Sequence, residues 1–114
     1  MSKVVIYHNP RCGKSRDTLG LLQERGLEID VIEYLKAPPT VAELTRILGL
    51  LGKSAKDIVR KKEADEAGIQ WKNMAEGDLI KALVETPIAI ERPIVICGNK
   101  AVLGRPPESV LTIL

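Results

Sequence analysis

Residues 4 to 34 read as strand, loop, helix and strand, and that order constrains the fold more than any other stretch of the chain. Val4-Val5-Ile6 is too short for a helix and β-branched enough for a buried strand, and from Ser15 to about Arg25 the spacing turns helical. Leu19 and Leu22 share one apolar stripe, and Gly26 is a suitable C-terminal stop. Glu28 to Tyr34 then alternates as a second strand. Two strands joined by a helix of about three turns form a βαβ unit, with parallel strands and a right-handed crossover. The loop Tyr7-His8-Asn9-Pro10-Arg11-Cys12-Gly13-Lys14-Ser15-Arg16 therefore leaves the first strand and enters the helix, with Cys12 at the helix start.

That position has chemical consequences. The first turn of a helix offers backbone N–H groups without intrahelical partners and the positive end of the peptide dipoles, so it stabilises negative charge. A thiol there, with His8, Arg11, Lys14 and Arg16 close in sequence, is expected to ionise more easily than a free cysteine and to act as a nucleophile. The same donors attract oxyanions, so one loop has the means to hold an attacking sulfur and an anionic substrate.

Downstream, Ala37-Pro38-Pro39 breaks the chain. Thr40 with Glu43 forms a capping box for a helix through Leu50 or Leu51, on which Leu44, Ile47, Leu48 and Leu51 line one face. Ser54 with Asp57 repeats the signature and predicts a short helix carrying Ile58, Val59 and Arg60. Residues 61 to 77 are charged and irregular around Trp71, and predict a short helical turn or a loop. Asp78 to Thr86 recovers helical spacing up to Pro87. Ile94–Cys97, Gly98-Asn99 and Lys100–Leu103 read as a hairpin, and Val110, Leu111 and Leu114 give the C-terminus helical spacing. A βαβ unit followed by a ββα unit predicts an α/β fold with a thioredoxin-like, four-stranded mixed sheet flanked by helices. The expectation is one domain over residues 1–114, with a helical insertion at about 38–90.

With 114 residues such a domain can bury a core without staples. Two cysteines are too few for a disulfide framework. The amino end lacks the apolar region of a signal peptide, and no apolar run reaches the length of a membrane span, so a soluble cytoplasmic protein is expected. Net charge is +2, with 17 basic and 15 acidic residues intermixed, which argues against a nucleic-acid partner. Aromatic residues are 3 % of the chain and phenylalanine is absent, so single-strand stacking platforms are missing as well. A small anionic substrate needs only a local cluster of cations and stays open.

The spacing Cys12-Gly13-Lys14-Ser15 has the layout of a redox Cys-x-x-Cys motif with serine in the second place. Such a site cannot resolve its own mixed disulfide. The resolving thiol comes from outside or from Cys97, and an extended Ile94–Cys97 strand puts Cys97 about 16 Å from Arg92; Cys97 is the better fit to a buried strand residue. Arg60, Arg92 and Arg105 stand apart in sequence, and any one taken alone is ordinarily a solvated surface charge. Arg92 and Arg105 each precede proline, which favours extended geometry. On the expected sheet, Arg92 precedes the strand beside the first strand and Arg105 follows the hairpin, so both are within reach of the Cys12 loop. A guanidinium presents the planar fork of donors that a tetrahedral oxyanion requires. Two phosphate-loop look-alikes ending in Gly-Lys-Ser fail, because His8 and Ile47 stand where the motif needs its first glycine. A phosphatase loop of cysteine, five residues and arginine fails at Thr18. One histidine and one further cysteine do not make a tetrahedral metal site with Cys12.

The run Tyr7 to Leu19, with Tyr34-Leu35-Lys36-Ala37-Pro38-Pro39-Thr40, Arg92-Pro93-Ile94-Val95 and Gly104-Arg105-Pro106, resembles the glutaredoxin-coupled bacterial arsenate reductases. The similarity spans the whole chain, and Arg11, Lys14 and Cys97 are local departures. It implies a thioredoxin-like core with a helical insertion, a nucleophilic Cys12, an oxyanion site from Arg60, Arg92 and Arg105, and support from Ser15 and Arg16. It further implies that His8 lowers the pKa of Cys12 and that Arg92–Pro93 is cis. The implied reaction reduces arsenate to arsenite through a Cys12 thioarsenate, as in arsenical resistance, with glutathione as co-substrate, glutaredoxin as partner and no bound cofactor or metal. Three alternatives remain: a glutathione-dependent thiol reductase of the same fold acting on another substrate, a redox-responsive transcription regulator that binds RNA polymerase, and anion binding without chemistry. The redox-switching regulators use a Cys-x-x-Cys pair, which Ser15 removes.

Overall fold

A computed structural model describes residues 3–114. The chain falls into two compact units, residues 3–37 with 92–114, and Pro38–Glu91. The first unit holds a four-stranded sheet built from β1 (Val4–His8), β2 (Ile29–Glu33), β3 (Ile94–Cys97) and β4 (Lys100–Leu103) in the order β2-β1-β3-β4. β1 runs parallel to β2 and antiparallel to β3, and β3 pairs antiparallel with β4, so the sheet is mixed as the sequence pattern predicts.

β1 is central, which explains its nearly continuous apolar run. Val4 and Ile6 are fully buried and pack with Val95 of β3, Leu22 of the helix α1 (Gly13–Glu24) and Val110 near the C-terminus. Leu19, Leu27, Ile29, Cys97, Val102 and Ile113 close around this cluster. β2 lies at an edge, and Asp30 and Val31 are exposed accordingly. The helix begins two residues before Ser15, the expected start, and ends at Gly26, whose φ of 65° suits a residue without a side chain. The C-terminal segment differs from the α-helix that its spacing suggests: Pro107–Thr112 is a 3-10 helix.

In the second unit, α2 (Val41–Leu51) opens on the expected capping box, with the Glu43 N–H donating to Thr40 Oγ1 and the Thr40 N–H to Glu43 Oε1. Leu44, Ile47 and Leu48 are its buried face, and Leu79, Ile80 and Leu83 that of α4 (Glu76–Glu85). The Ser54 box forms a 3-10 turn, Ala55–Ile58, shorter than expected, in which the Ser54 N–H and hydroxyl both donate to Asp57 Oδ2. Val59 departs into extended geometry and bridges Ile90. Arg60 caps α3 (Lys61–Glu66), the short helix that the irregular stretch contains. Trp71 anchors the turn beyond it, donating from Nε1 to Asp65 at 3.0 Å, with the Lys61 and Lys72 ammonium groups over its ring.

Gly104, just after β4, is a point of close approach in the sheet unit. A Cβ there would lie 2.6 Å from Thr18 Oγ1 and 2.7 Å from Pro93 Cγ. Gly104 also donates its N–H to the Pro93 carbonyl at 2.9 Å. Gly104→Ala must push α1 or the Pro93 segment aside and is expected to cost about 1–3 kcal/mol, read as a lower urea midpoint at unchanged m-value; an unchanged midpoint would show that this contact yields freely.

Candidate active site

Three elements meet around Cys12: the carboxyl end of β1, the first turn of α1 and the start of β3. Their meeting follows from strand register. β3 is antiparallel to β1 with Ile94 opposite Tyr7, so the residues just before Ile94 lie beside the loop that follows His8. Arg92 is among them, and it is buried at 8 % exposure.

The loop is shaped by its own polar side chains. Asn9 accepts the Arg11 N–H on Oδ1, and its carbonyl accepts the Cys12 N–H, which turns the chain sharply over Pro10. Arg16 returns from α1 to donate to the Pro10 carbonyl at 2.9 Å. Ser15, fully buried, has its hydroxyl 2.7 Å from His8 Nδ1 and accepts the Asn9 N–H at 3.0 Å. Cys12 is the N-cap of α1 in extended geometry, so its side chain faces the open N–H groups of the first turn.

The thiol pKa lies below that of an ordinary cysteine. Partial burial is the largest single effect and opposes ionisation; the Ser15 N–H, the Arg92 guanidinium and the Lys14 N–H, all hydrogen-bonded to the sulfur, together outweigh it. Thus the helix start contributes as expected. The formal charge comes from Arg92, eighty residues away in sequence, whereas Lys14 acts through its backbone and its side chain is exposed, as are those of Arg11 and Arg16. His8 is held below its ordinary value, first by burial and then by Arg16, against the opposing pull of Glu33 on β2. It is therefore neutral at pH 7, and a positive imidazolium is not what favours the thiolate there.

Arg105 donates from Nη1 to the Arg92 carbonyl at 3.2 Å, so the two arginines are tied together at the ends of β3 and β4. Both of the peptide bonds that follow them, Arg92–Pro93 and Arg105–Pro106, are cis. Arg60 belongs to the Pro38–Glu91 unit, where its Nη1 pairs with Glu91 Oε1 at 3.2 Å and its Nε with Glu63 Oε2 at 3.3 Å. Cys97 lies opposite Val4, at the other end of β1 from the Cys12 loop; the four residue steps from Val4 to His8 put these ends about 13 Å apart. Among the described residues no cluster of three or more His, Cys, Asp or Glu side chains could hold a metal ion, and no helix is long and apolar enough to cross a membrane.

Sequence reasoning passed over Asn9, Thr18 and Gly104. Asn-Pro is a turn signal, so the role of Asn9 was readable. Thr18, fully buried, donates to the Lys14 carbonyl at 2.7 Å and lies against Gly104, a contact between residues 86 apart that no local pattern announces.

Replacing the guanidinium tests its part directly. Arg92→Met is expected to move the pH midpoint of Cys12 alkylation by iodoacetamide upward, since both a hydrogen bond and a positive charge leave the sulfur; a midpoint that stays in place would assign the ionisation to the helix start alone.

A sequence model described as the ArsC family matches residues 7–113. Among curated proteins, an arsenate reductase of Neisseria meningitidis is 41 % identical over all of both chains. An Escherichia coli K12 protein called uncharacterized protein YfgD is 47 % identical over 98 % of this chain and 97 % of its own. Among solved structures, an arsenate reductase from Vibrio cholerae superimposes with a TM-score of 0.92 at 45 % identity, covering 99 % of this chain and 98 % of the other.

Proposed function

We propose that this chain, which belongs to the ArsC family, is a thioredoxin-like arsenate reductase that uses Cys12 as its nucleophile and draws its electrons from glutathione and glutaredoxin. The observation that carries the reading is a cysteine at a helix N-terminus with its sulfur on two backbone N–H groups and the Arg92 guanidinium. An equivalent arrangement is what thiolate attack on an oxyanion requires: a formed nucleophile, and donors that also serve the oxygens around the atom attacked.

The Cys12 thiolate attacks arsenic(V), an S–As bond forms, and hydroxide leaves as water after taking a proton. Arg92 and Arg105, tied together by the hydrogen bond to the Arg92 carbonyl, offer charged forks to the arsenate oxygens, and Arg60 completes the set by sequence match. For Arg60 to engage an oxyanion, its donors are shared with or exchanged from Glu63 and Glu91. Arsenic must then gain two electrons. Cys12 has no second cysteine in its loop, and Cys97 sits at the far end of β1, so the electrons come from two external thiols. Glutathione displaces a second arsenic oxygen as water to form an As–S bond; the glutaredoxin thiolate attacks the glutathione sulfur, the pair of that As–S bond stays on arsenic, and the two thiols depart as a mixed disulfide; water then cleaves the Cys12 S–As bond, which releases arsenite and restores the Cys12 thiol. No bound cofactor or metal enters this scheme. A supply of reduced glutathione places the protein in a reducing compartment, the cytoplasm. In chain order Pro38–Glu91 lies between β2 and β3, and we read it as a helical insertion into one thioredoxin-like domain.

The test is NADPH oxidation in the presence of arsenate, glutathione, glutaredoxin and glutathione reductase. The wild-type chain is expected to give arsenate-dependent oxidation, and Cys12→Ser is expected to give none. Arg105→Ala is expected to raise KM for arsenate by about tenfold or more, since a hydrogen bond to a charged group is worth about 1.5–3 kcal/mol. A folded wild-type protein inert to arsenate, or a Cys12→Ser variant that still turns over, would remove the assignment.

A further inference from the structure

Within the Pro38–Glu91 unit, Arg60 is held by two carboxylates. Its Nη1 donates to Glu91 Oε1 at 3.2 Å, and its Nε lies 3.3 Å from Glu63 Oε2. The Glu63 contact is an ion pair without hydrogen-bond geometry, so the buried Nε proton has no aligned acceptor. The three side chains keep 22, 23 and 24 % of their surface exposed, which leaves the group open to small ions.

The clamp is built by backbone pairing. Val59 and Ile90 form an antiparallel bridge, with the Arg60 N–H donating to the Ala89 carbonyl and the Glu91 N–H to the Ile58 carbonyl, both at 2.7 Å. Arg60 and Glu91 are therefore diagonal neighbours across a short ladder, a separation that long side chains span. Glu63 comes from the first turn of α3, of which Arg60 is the N-cap. Glu91 also directly precedes Arg92, whose guanidinium meets the Cys12 sulfur.

An oxyanion oxygen that takes up a donor of Arg60 comes to rest beside a carboxylate oxygen already on that guanidinium. Two acceptors with no proton between them repel there, whereas an O–H facing the carboxylate makes a charge-assisted hydrogen bond. At neutral pH arsenate and phosphate keep at least one O–H, and sulfate has none. A site that presents an acceptor rejects an analogue lacking the matching donor, because its own polar group is then left unpaired.

We propose that Glu91 is a specificity-determining residue: it stays beside Arg60 when an oxyanion arrives and accepts the O–H of that oxyanion, so the site takes protonated oxyanions and turns sulfate away. Glu63 holds the guanidinium from its other side. The inference rests on the proposed function, in which Arg60 joins the oxyanion set, and it narrows the substrate class of that set. Guanidinium groups recognise the charge and tetrahedral shape that arsenate, phosphate and sulfate share; the carboxylate reads the proton.

The test is protection of Cys12 from iodoacetamide by inorganic phosphate and by sulfate, titrated separately at pH 7 and constant ionic strength. In the wild type, phosphate is expected to protect at concentrations about tenfold or more below sulfate, the worth of one hydrogen bond to a charged group. Glu91→Gln, whose amide can donate, is expected to remove most of that difference through stronger protection by sulfate. Glu85→Gln, which removes an exposed charge outside the clamp, is expected to leave the ratio in place. Equal protection in the wild type overturns the proposal without any variant, and so does a ratio that survives in folded Glu91→Gln or collapses equally in Glu85→Gln. Should Glu91→Gln not fold, Glu91→Asn carries the same expectation and the same refutation. Neither arsenate nor a reductant enters, so a chain that prefers phosphate through Glu91 and fails to reduce arsenate separates this inference from the functional reading.

Discussion

The antiparallel pairing of β3 with β1 is the constraint on which the site depends. Cys12 lies four residues beyond the end of β1, and any strand-loop-helix with a cysteine at the helix start would hold it in a similar way. What distinguishes this chain is the charge brought to it. Pairing Tyr7 with Ile94 fixes the start of β3 beside the loop after His8, and so delivers Arg92. A slip of one residue would turn Val95 and the other alternating residues of β3 to the opposite face and unseat the core around Val4 and Ile6. The burial of apolar side chains thus fixes the position of the cation that meets the Cys12 sulfur.

This also explains which parts of the architecture could be read from the sequence. The βαβ order, the Thr40–Glu43 box and the hairpin at Gly98-Asn99 are written in residues no more than a few positions apart, or in periodicities of two and 3.6. Those appear in the structure close to where they were expected. The nature of the last segment was not legible, because Val110, Leu111 and Leu114 fit helical spacing of either kind, and Pro107–Thr112 is a 3-10 helix that sets Val110 into the core. Of the candidate site, the sequence indicated that Arg92 and Arg105 come near the Cys12 loop, and in the structure Arg92 hydrogen-bonds the Cys12 sulfur and Arg105 the Arg92 carbonyl. The cations near Cys12 in sequence misled in one respect: Arg11, Lys14 and Arg16 direct their side chains to solvent or to the loop backbone. Proximity along a chain does not fix the direction of a long side chain, and the guanidinium at the sulfur comes from a different strand.

Two opposing effects set the state of the thiol. Partial burial favours the neutral form, and were it alone the cysteine would be inert. The N–H groups of Lys14 and Ser15 and the Arg92 guanidinium reverse that, and they can do so because each is held in place for another reason. The N–H groups belong to a helix whose Leu22 is locked in the core, and Arg92 is anchored by the register of β3 and by its carbonyl bond to Arg105. Preorganised donors of this kind need no rearrangement as charge moves from sulfur to arsenate oxygen.

The same geometry leaves Cys12 without a second thiol in its own loop. A thioredoxin-type dithiol keeps both sulfurs within one helical turn, and here the second place is taken by a serine whose hydroxyl is engaged with His8 Nδ1 and the Asn9 N–H. Cys97 packs into the core cluster at the opposite end of the central strand. Bringing it to Cys12 would break the β1–β3 pairing that supplies Arg92, and with it part of what lowers the pKa of Cys12. In this arrangement an internal disulfide would remove the donor that Arg92 gives to Cys12, and that supports the proposed use of thiols from outside.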